Sequence, residues 1–436
     1  MKYIEKQKEL EVLGEYDVIV CGGGPAGVCA GIASARAGLK TLLIEQFNCL
    51  GGMATIGLHQ KIAPFGGVGG LPDIVGGIPR EIINRSVSDY KADYRNGELF
   101  VDMEEFKYLL DRMAEEAGLE LLYYTQLAEV IKENETVTGV IVTNKSGRFA
   151  AFAKRVIDCT GDADAAFRAG CPVTKGRPED GKMQPVTLMY RVGGVDWPKT
   201  EEARKPDRKL QKYWKEAIEK KYMSPFQTAM MGLWWVSSRP NEVGVNFTHM
   251  HYDGTNARDL TKASIEGRKQ VKEAVYAMQK VLPGFEKSYL IDTAGMIGVR
   301  ETRRIVGQYT ITVDDIKALT IFEDSIGLGS AFIDIHNVDG AGMDKKAGFC
   351  LPMGKYYSIP YRTMVPQKVK NIIVAGRCHS ATHEAAGSTR WMSQAMVMGQ
   401  AAGTAAEISL KENKGFAELS FAKVKDKLLA DKAILK

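Results

Sequence analysis

From Tyr16 the chain runs largely apolar to Cys21, turns through glycines, carries small residues at helical spacing, and enters a second apolar run. The stretch YDVIVCGGGPAGVCAGIASARAGLKTLLIEQ predicts a buried strand over Tyr16–Cys21, a helix over Pro25–Ala37 stopped by Gly38, and a strand over Thr41–Glu45. Together they make one βαβ unit of about 30 residues. Leu50–Pro79 then shows no periodicity and is dense in glycine, as long functional loops are. Phe106, Leu109, Leu110 and Met113 mark a helix over 102–118, and residues 119–162 alternate like a β-meander with turns at Glu133–Thr136 and Asn144–Gly147. Between Cys171 and Cys350 the pattern changes to a charged helix over 199–221, the aromatic GLWWVSS and a helix over Ala263–Val281. VKNIIVAGR predicts another short strand, followed by the small-residue helix GSTRWMSQAMVMGQAAGTAAEISL.

Gly22-x-Gly24-x-x-Gly27 lies between the first strand and the first helix, where a dinucleotide fingerprint belongs. Gly22 makes the sharp turn, Gly24 lets the backbone approach a diphosphate, and Gly27 lets the helix pack on the strand. Pro25 and Ala26 open the helix, whose free amides attract phosphate charge. Glu45, 18 residues after Gly27, is placed to accept hydrogen bonds from a ribose. These features alone admit either FAD or NAD.

The 436 residues carry 58 Lys+Arg against 53 Asp+Glu, a net +5 that predicts neither nucleic-acid nor membrane-surface binding. Residues 199–221, with nine basic and five acidic side chains, read as a solvated face. No apolar run is long enough to span a membrane, and the charged N-terminus does not resemble a signal peptide, so a cytoplasmic location is expected. Seven scattered cysteines form no Cys-x-x-Cys pair or Cys/His cluster, and no metal is expected.

Four segments resemble FAD-dependent oxidoreductases of the glutathione-reductase-type flavin fold, and within them the branch similar to the fumarate reductase flavoprotein. They are VIVCGGGPAG with Glu45, LGGMAT at 50–55, KRVIDCTGDADAAFRAG at 154–170, and residues 359–406. The resemblance implies that Gly22, Gly24, Gly27 and Glu45 hold the ADP half of FAD, with Gly51, Gly52 and Met53 near the diphosphate and ribityl chain. It implies that Leu127 meets the adenine and that Thr160, Gly161 and Asp162 form a second turn against the nucleotide. Gly376 and Arg377 would follow the ribityl chain, with Arg390 and Gly399 near the flavin ring. Arg377 stands where the wider fold often has an acid; a diphosphate ligand, a substrate carboxylate ligand and a structural ion pair are all open to it.

His379 and His383, flanking this last segment, are the candidates for general acid or base, with Arg390 beside them. His59 reads first as an ordinary loop histidine, with a substrate contact and a covalent flavin link as its alternatives; His249 and His251 share a spacing that places them on one strand face, where two ligands without a third read as surface or core residues rather than a metal site. Arg300, Arg303 and Arg304 could grip a substrate carboxylate or close salt bridges; Trp234 and Trp235 could line a pocket or pack in a core. No second dinucleotide motif and no Cys-x4-Cys follows, so a pyridine-nucleotide disulfide reductase is disfavoured.

The expected fold is α/β: a discontinuous Rossmann-like FAD-binding domain (1–170 and 356–436) with an inserted α+β substrate domain (171–355). The expected function is FAD-dependent hydride transfer between flavin N5 and a small polar substrate, an organic acid or sugar-like compound. A flavin electron relay working with a partner redox protein and a non-redox enzyme with structural FAD are the alternatives. An electron-transfer partner is admitted, nucleic acid is not, and the oligomeric state stays open.

Overall fold

The computed structural model describes residues 8–66, 72–344 and 347–436. Residues 67–71 of the predicted glycine-dense loop, and residues 1–7 of the N-terminus weighed as a signal peptide, lie outside the described residues.

The predicted βαβ unit is present as strand β1 (Glu11–Cys21), helix α1 (Pro25–Arg36) and strand β2 (Thr41–Ile44). β1 begins five residues before the apolar run because its polar start pairs in parallel with the strand Gly147–Asp158, from Glu11 opposite Phe149 to Cys21 opposite Asp158. Val18, Ile19 and Val20 are fully buried, each contributing roughly 1.5–3 kcal/mol. On the other side β1 pairs in parallel with β2, which pairs with Glu120–Leu122.

The meander also forms: Gln126–Glu133, Thr136–Asn144 and Gly147–Asp158 pair antiparallel in sequence order. Its last strand runs on into the parallel sheet, where Ile372–Val374 pairs with its end and Val374 lies opposite Asp158. β1, Gly147–Asp158 and Ile372–Val374 therefore end side by side, and their carboxyl ends are where open α/β sheets bind ligands. The helix over 102–118 is Met103–Ala117, capped by the Asp102 side chain on the Glu104 amide and stopped by Gly118 at φ 71°.

α1 packs on the long helix Met392–Glu412 almost backbone to backbone. A Cβ at Gly399 would lie 2.0 Å from the Ala26 carbonyl oxygen, and one at Gly403 2.6 Å from that of Ala30. The predicted small-residue helix is in fact two. His383–Thr389 ends at Arg390, and Trp391 is extended (φ −63°, ψ 151°) before the second helix begins. The charged helix over 199–221 is likewise broken into Trp197–Arg204 and Gln211–Glu219, because Pro206 between them has no amide hydrogen to donate.

A second hydrophobic core lies within residues 186–299. An antiparallel sheet, in the order Gly232–Trp235, Glu242–Asn246, Tyr190–Gly193, Tyr289–Thr293, packs with the helix Ala257–Val281 around Trp214 and Phe247, whose rings lie 4.3 Å apart. Ile311, Ile316, Ile326, Leu328, Ile333 and Ile335 belong instead to the core shared with α1 and the helix Met392–Glu412. No described helix is long and apolar enough to cross a membrane.

Candidate active site

A cavity of about 450 Å³ opens at the three aligned strand ends. At the end of β1, Gly22 takes φ +99°, and a Cβ on it would lie 2.7 Å from the Cys159 carbonyl oxygen, so only glycine fits between the two turns. Gly24 differs: its φ is −67°, and a Cβ there meets nothing within 4 Å. The space in front of Gly24 is cavity, at the N-terminus of a 12-residue helix with Pro25 in its first turn. Open space, free amides and the positive end of a helix are what a diphosphate requires. Glu45 is held rigidly on this wall, Oε2 accepting from the Gly23 amide at 2.6 Å and Oε1 from the Phe47 amide at 2.9 Å. Burial raises its pKa against the pull of those bonds.

Asp158 shapes the second turn. Its buried carboxylate accepts from the Thr160 amide (3.0 Å), the Thr160 hydroxyl (2.7 Å) and the Ala166 amide (2.8 Å), while burial raises its pKa. This clamp presents Thr160, Gly161 and Asp162 to the cavity. Asp162 pairs with Arg377 at 2.8 Å, and Arg377 also donates to the Thr302 hydroxyl at 3.0 Å. Of the three roles open to Arg377, the structural ion pair is formed, and the residue still lines the cavity beside Gly376. Gly52, Met53 and Leu127 complete this half of the wall.

Side chains from distant segments close the far half. His59, Thr187, Asn246, Arg300, Asp334 and Arg390 all face the cavity. Arg390 pairs with Asp334 at 2.9 Å, and burial lowers its pKa. Arg300 is buried and donates to the Pro185 carbonyl at 2.7 Å, but makes no ion pair among the described residues. Burial, then the neighbouring charge of Arg390, push its pKa down to about 10, so it remains a cation near neutrality. The His59 ring packs against Trp234 at 4.2 Å between centroids, tilted by 33°, and its buried Nδ1 has no partner among the described residues. Burial lowers its pKa to about 3, keeping the ring neutral.

The structure therefore brings Gly22, Gly24, Pro25, Ala26, Glu45, Gly52, Met53, Leu127, Thr160, Gly161, Asp162, Gly376, Arg377 and Arg390 to one cavity. It does not bring His379 or His383 there. His379 is fully buried, hydrogen-bonded to Thr389 at 2.7 Å and pushed down to about 3 by burial; His383 sits 2.9 Å from Glu301. The reason is local: both side chains turn into the core around the short helix His383–Thr389. Gly27, Gly51 and Gly399 are also off the wall. Gly27 and Gly399 are close-packing positions, while Gly51 (φ +98°) makes a turn whose amide donates to Gly23. Arg303 and Arg304 close structural contacts, with Asp164 and with Glu301, leaving Arg300 as the member of that trio on the cavity. Sequence reasoning missed Thr187, Asn246 and Asp334, which belong to no local motif. No described group of three or more His, Cys, Asp or Glu residues is placed to hold a metal ion.

A family model described as FAD dependent oxidoreductase matches residues 17–428. A thiamine thiazole synthase of Methanococcus aeolicus is 32% identical over 161 residues, 35% of this chain and 57% of that protein. The tRNA uridine 5-carboxymethylaminomethyl modification enzyme MnmG of Aliarcobacter butzleri is 31% identical over 156 residues, 34% of this chain and 24% of that one. The chain thus spans less than two thirds of these curated relatives. Among solved structures, a geranylgeranyl bacteriochlorophyll reductase-like protein of Thermoplasma acidophilum aligns over 96% of this chain and 84% of its own, with TM-score 0.47 and 15% identity. Because the family match runs from β1 to the last helix, through both glycine turns, the chain belongs to the FAD-dependent oxidoreductases, enzymes that work with FAD.

Proposed function

We propose that this enzyme transfers hydride between FAD and a small polar substrate bearing an anionic group, held at the far half of the cavity. The observation that carries the reading is one continuous cavity with a diphosphate-type helix N-terminus at one end and, at the other, a buried guanidinium, Arg300, with no ion pair among the described residues. Gly22, Gly24 and the first amides of α1 would hold the diphosphate, and Glu45 the adenosine ribose. Leu127 would lie by the adenine, and Gly376 and Arg377 along the ribityl chain. When bound, FAD supplies a two-electron hydride acceptor or donor.

The remaining chemistry falls to the protein's own side chains. A buried cation without a carboxylate partner is stabilised by an incoming anion, and its planar fork suits a carboxylate. His59, neutral and braced by Trp234, lines this half of the cavity and can meet the substrate without adding charge. Thr187 and Asn246 come from the second core, which supports a role for that part as the substrate-facing unit. We assign that unit to residues 186–299.

The test is anaerobic: purified enzyme is mixed with a panel of small hydroxy and unsaturated acids and with matched uncharged alcohols and sugars. Flavin bleaching by acids, or reoxidation by unsaturated acids after photoreduction, is expected, with loss of the response in Arg300→Ala. Bleaching by the uncharged compounds, unchanged in Arg300→Ala, would overturn the assignment.

A further inference from the structure

Behind the Asp334–Arg390 pair, three imidazoles run from the cavity wall to the surface. Asp334 Oδ1 lies 3.5 Å from Nε2 of His336, whose ring centroid is 6.0 Å from that of His249, which is 5.0 Å from that of His251. His336 and His249 are buried, whereas His251 is exposed. Nδ1 of both buried rings is without a partner, while Nε2 of His249 faces the Gly340 carbonyl at 2.7 Å. With Nε2 turned toward oxygen acceptors in both rings, the contacts assign the proton to Nε2 and leave Nδ1 bare.

We propose that Asp334, His336, His249 and His251 form a proton path joining the flavin cavity to solvent. The proposal rests on the hydride-transfer reading above. When a substrate C–H leaves as hydride to FAD, the neighbouring O–H bond breaks and its proton passes to the protein; in the reverse reaction that bond re-forms and a proton must be delivered. Asp334 stands on the cavity wall to receive or give it. Inward, a proton reaching bare Nδ1 of His336 releases the one on Nε2 toward Asp334, and ring tautomerisation resets the site; outward transfer is the reverse. Rings whose centroids lie 5.0 and 6.0 Å apart are direct neighbours, so rotation of a ring brings nitrogens of adjacent imidazoles within reach for direct transfer.

The charges around the row favour neutral, exchangeable rings. Arg300 and Arg390 lie near His336, and Arg300 near His249; burial first, then these cations, hold both rings well below the ordinary histidine pKa. At the mouth, Asp339 and Glu266 oppose Lys182 around His251. A ring that stays neutral accepts a proton only in passing, as a relay needs.

The test uses the holoenzyme, photoreduced under argon with EDTA and a deazaflavin in weak buffer containing a pH-indicator dye, so that flavin bleaching and proton uptake are read together. His251→Phe, at an exposed position, and His336→Phe are each compared with the parent. Full bleaching is expected with proton uptake slowed about tenfold or more, restored by added imidazole. In the apoprotein, 15N-histidine NMR is expected to show His249 and His336 neutral with the proton on Nε2. Uptake at the parental rate in both variants, or a proton on Nδ1 of either buried ring, would overturn the path. A protein that takes up no flavin would instead count against the cofactor sites; the NMR tautomers then decide the path alone.

Discussion

At one end of the cavity the wall is largely main chain: the turns at Gly22–Gly24 and Thr160–Asp162 and the first amides of α1, with the Glu45 carboxylate pinned by two amides. At the other end it is side chain: His59, Thr187, Asn246, Arg300, Asp334 and Arg390, drawn from segments up to 331 residues apart. A wall of backbone recognises a shape and a charge common to many nucleotides and tolerates little substitution. A wall of side chains can be rewritten one residue at a time without disturbing the sheet behind it. On the proposed function, the first half of the cavity fixes the cofactor and the second selects the substrate.

That division is broken most severely at Gly24. Because a Cβ there meets only open cavity, Gly24→Val should fold normally and yet fill the diphosphate space. Purified protein should lack flavin absorbance while keeping its circular dichroism and melting temperature. Arg300→Ala should do the opposite, retaining flavin but lowering kcat/KM for an anionic substrate about 100-fold, chiefly through KM.

The same contrast explains what could be read along the chain. The main-chain end is a local device: strand, glycines, helix and acid fall within about 30 residues and announce themselves by spacing. The meander and Gly118 stop were legible for the same reason, since turn chemistry and alternation are short-range. The side-chain end has no such signature. Arg300 stood beside Arg303 and Arg304 with nothing to separate them until the fold turned two of them toward Asp164 and Glu301. His379 and His383 looked catalytic because they flank a cofactor segment, but the short helix His383–Thr389 turns them into the core. Thr187, Asn246 and Asp334 reach the site only through long-range pairing and packing.

Acid should weaken the molecule through its buried imidazoles. His59 and His379 are held at about 3 and His249 at about 4, all below the unfolded value of 6.5. Below 6.5 the unfolded chain therefore binds more protons than the native one. Their stabilising effect is whole above that pH and falls, as pH drops toward 4, by roughly 1.4 kcal/mol per pH unit for each ring. Urea denaturation across this range checks the slope, and His249→Gln should make it shallower. On substrate selectivity, the smallest effect is expected at the helix contact behind both halves. Gly399→Ala places a methyl 2.0 Å from the Ala26 carbonyl oxygen, a backbone clash that should cost about 3 kcal/mol or more of stability with substrate selectivity unchanged.

The central claim is that this cavity clasps a flavin through its diphosphate. Titrating the apoprotein with FAD and, separately, with riboflavin, which lacks the diphosphate and adenosine, tests it most directly by fluorescence quenching. The account predicts saturable binding of FAD at one per chain and no measurable binding of riboflavin. Equal affinity for the two, or failure to bind FAD at all, would contradict it.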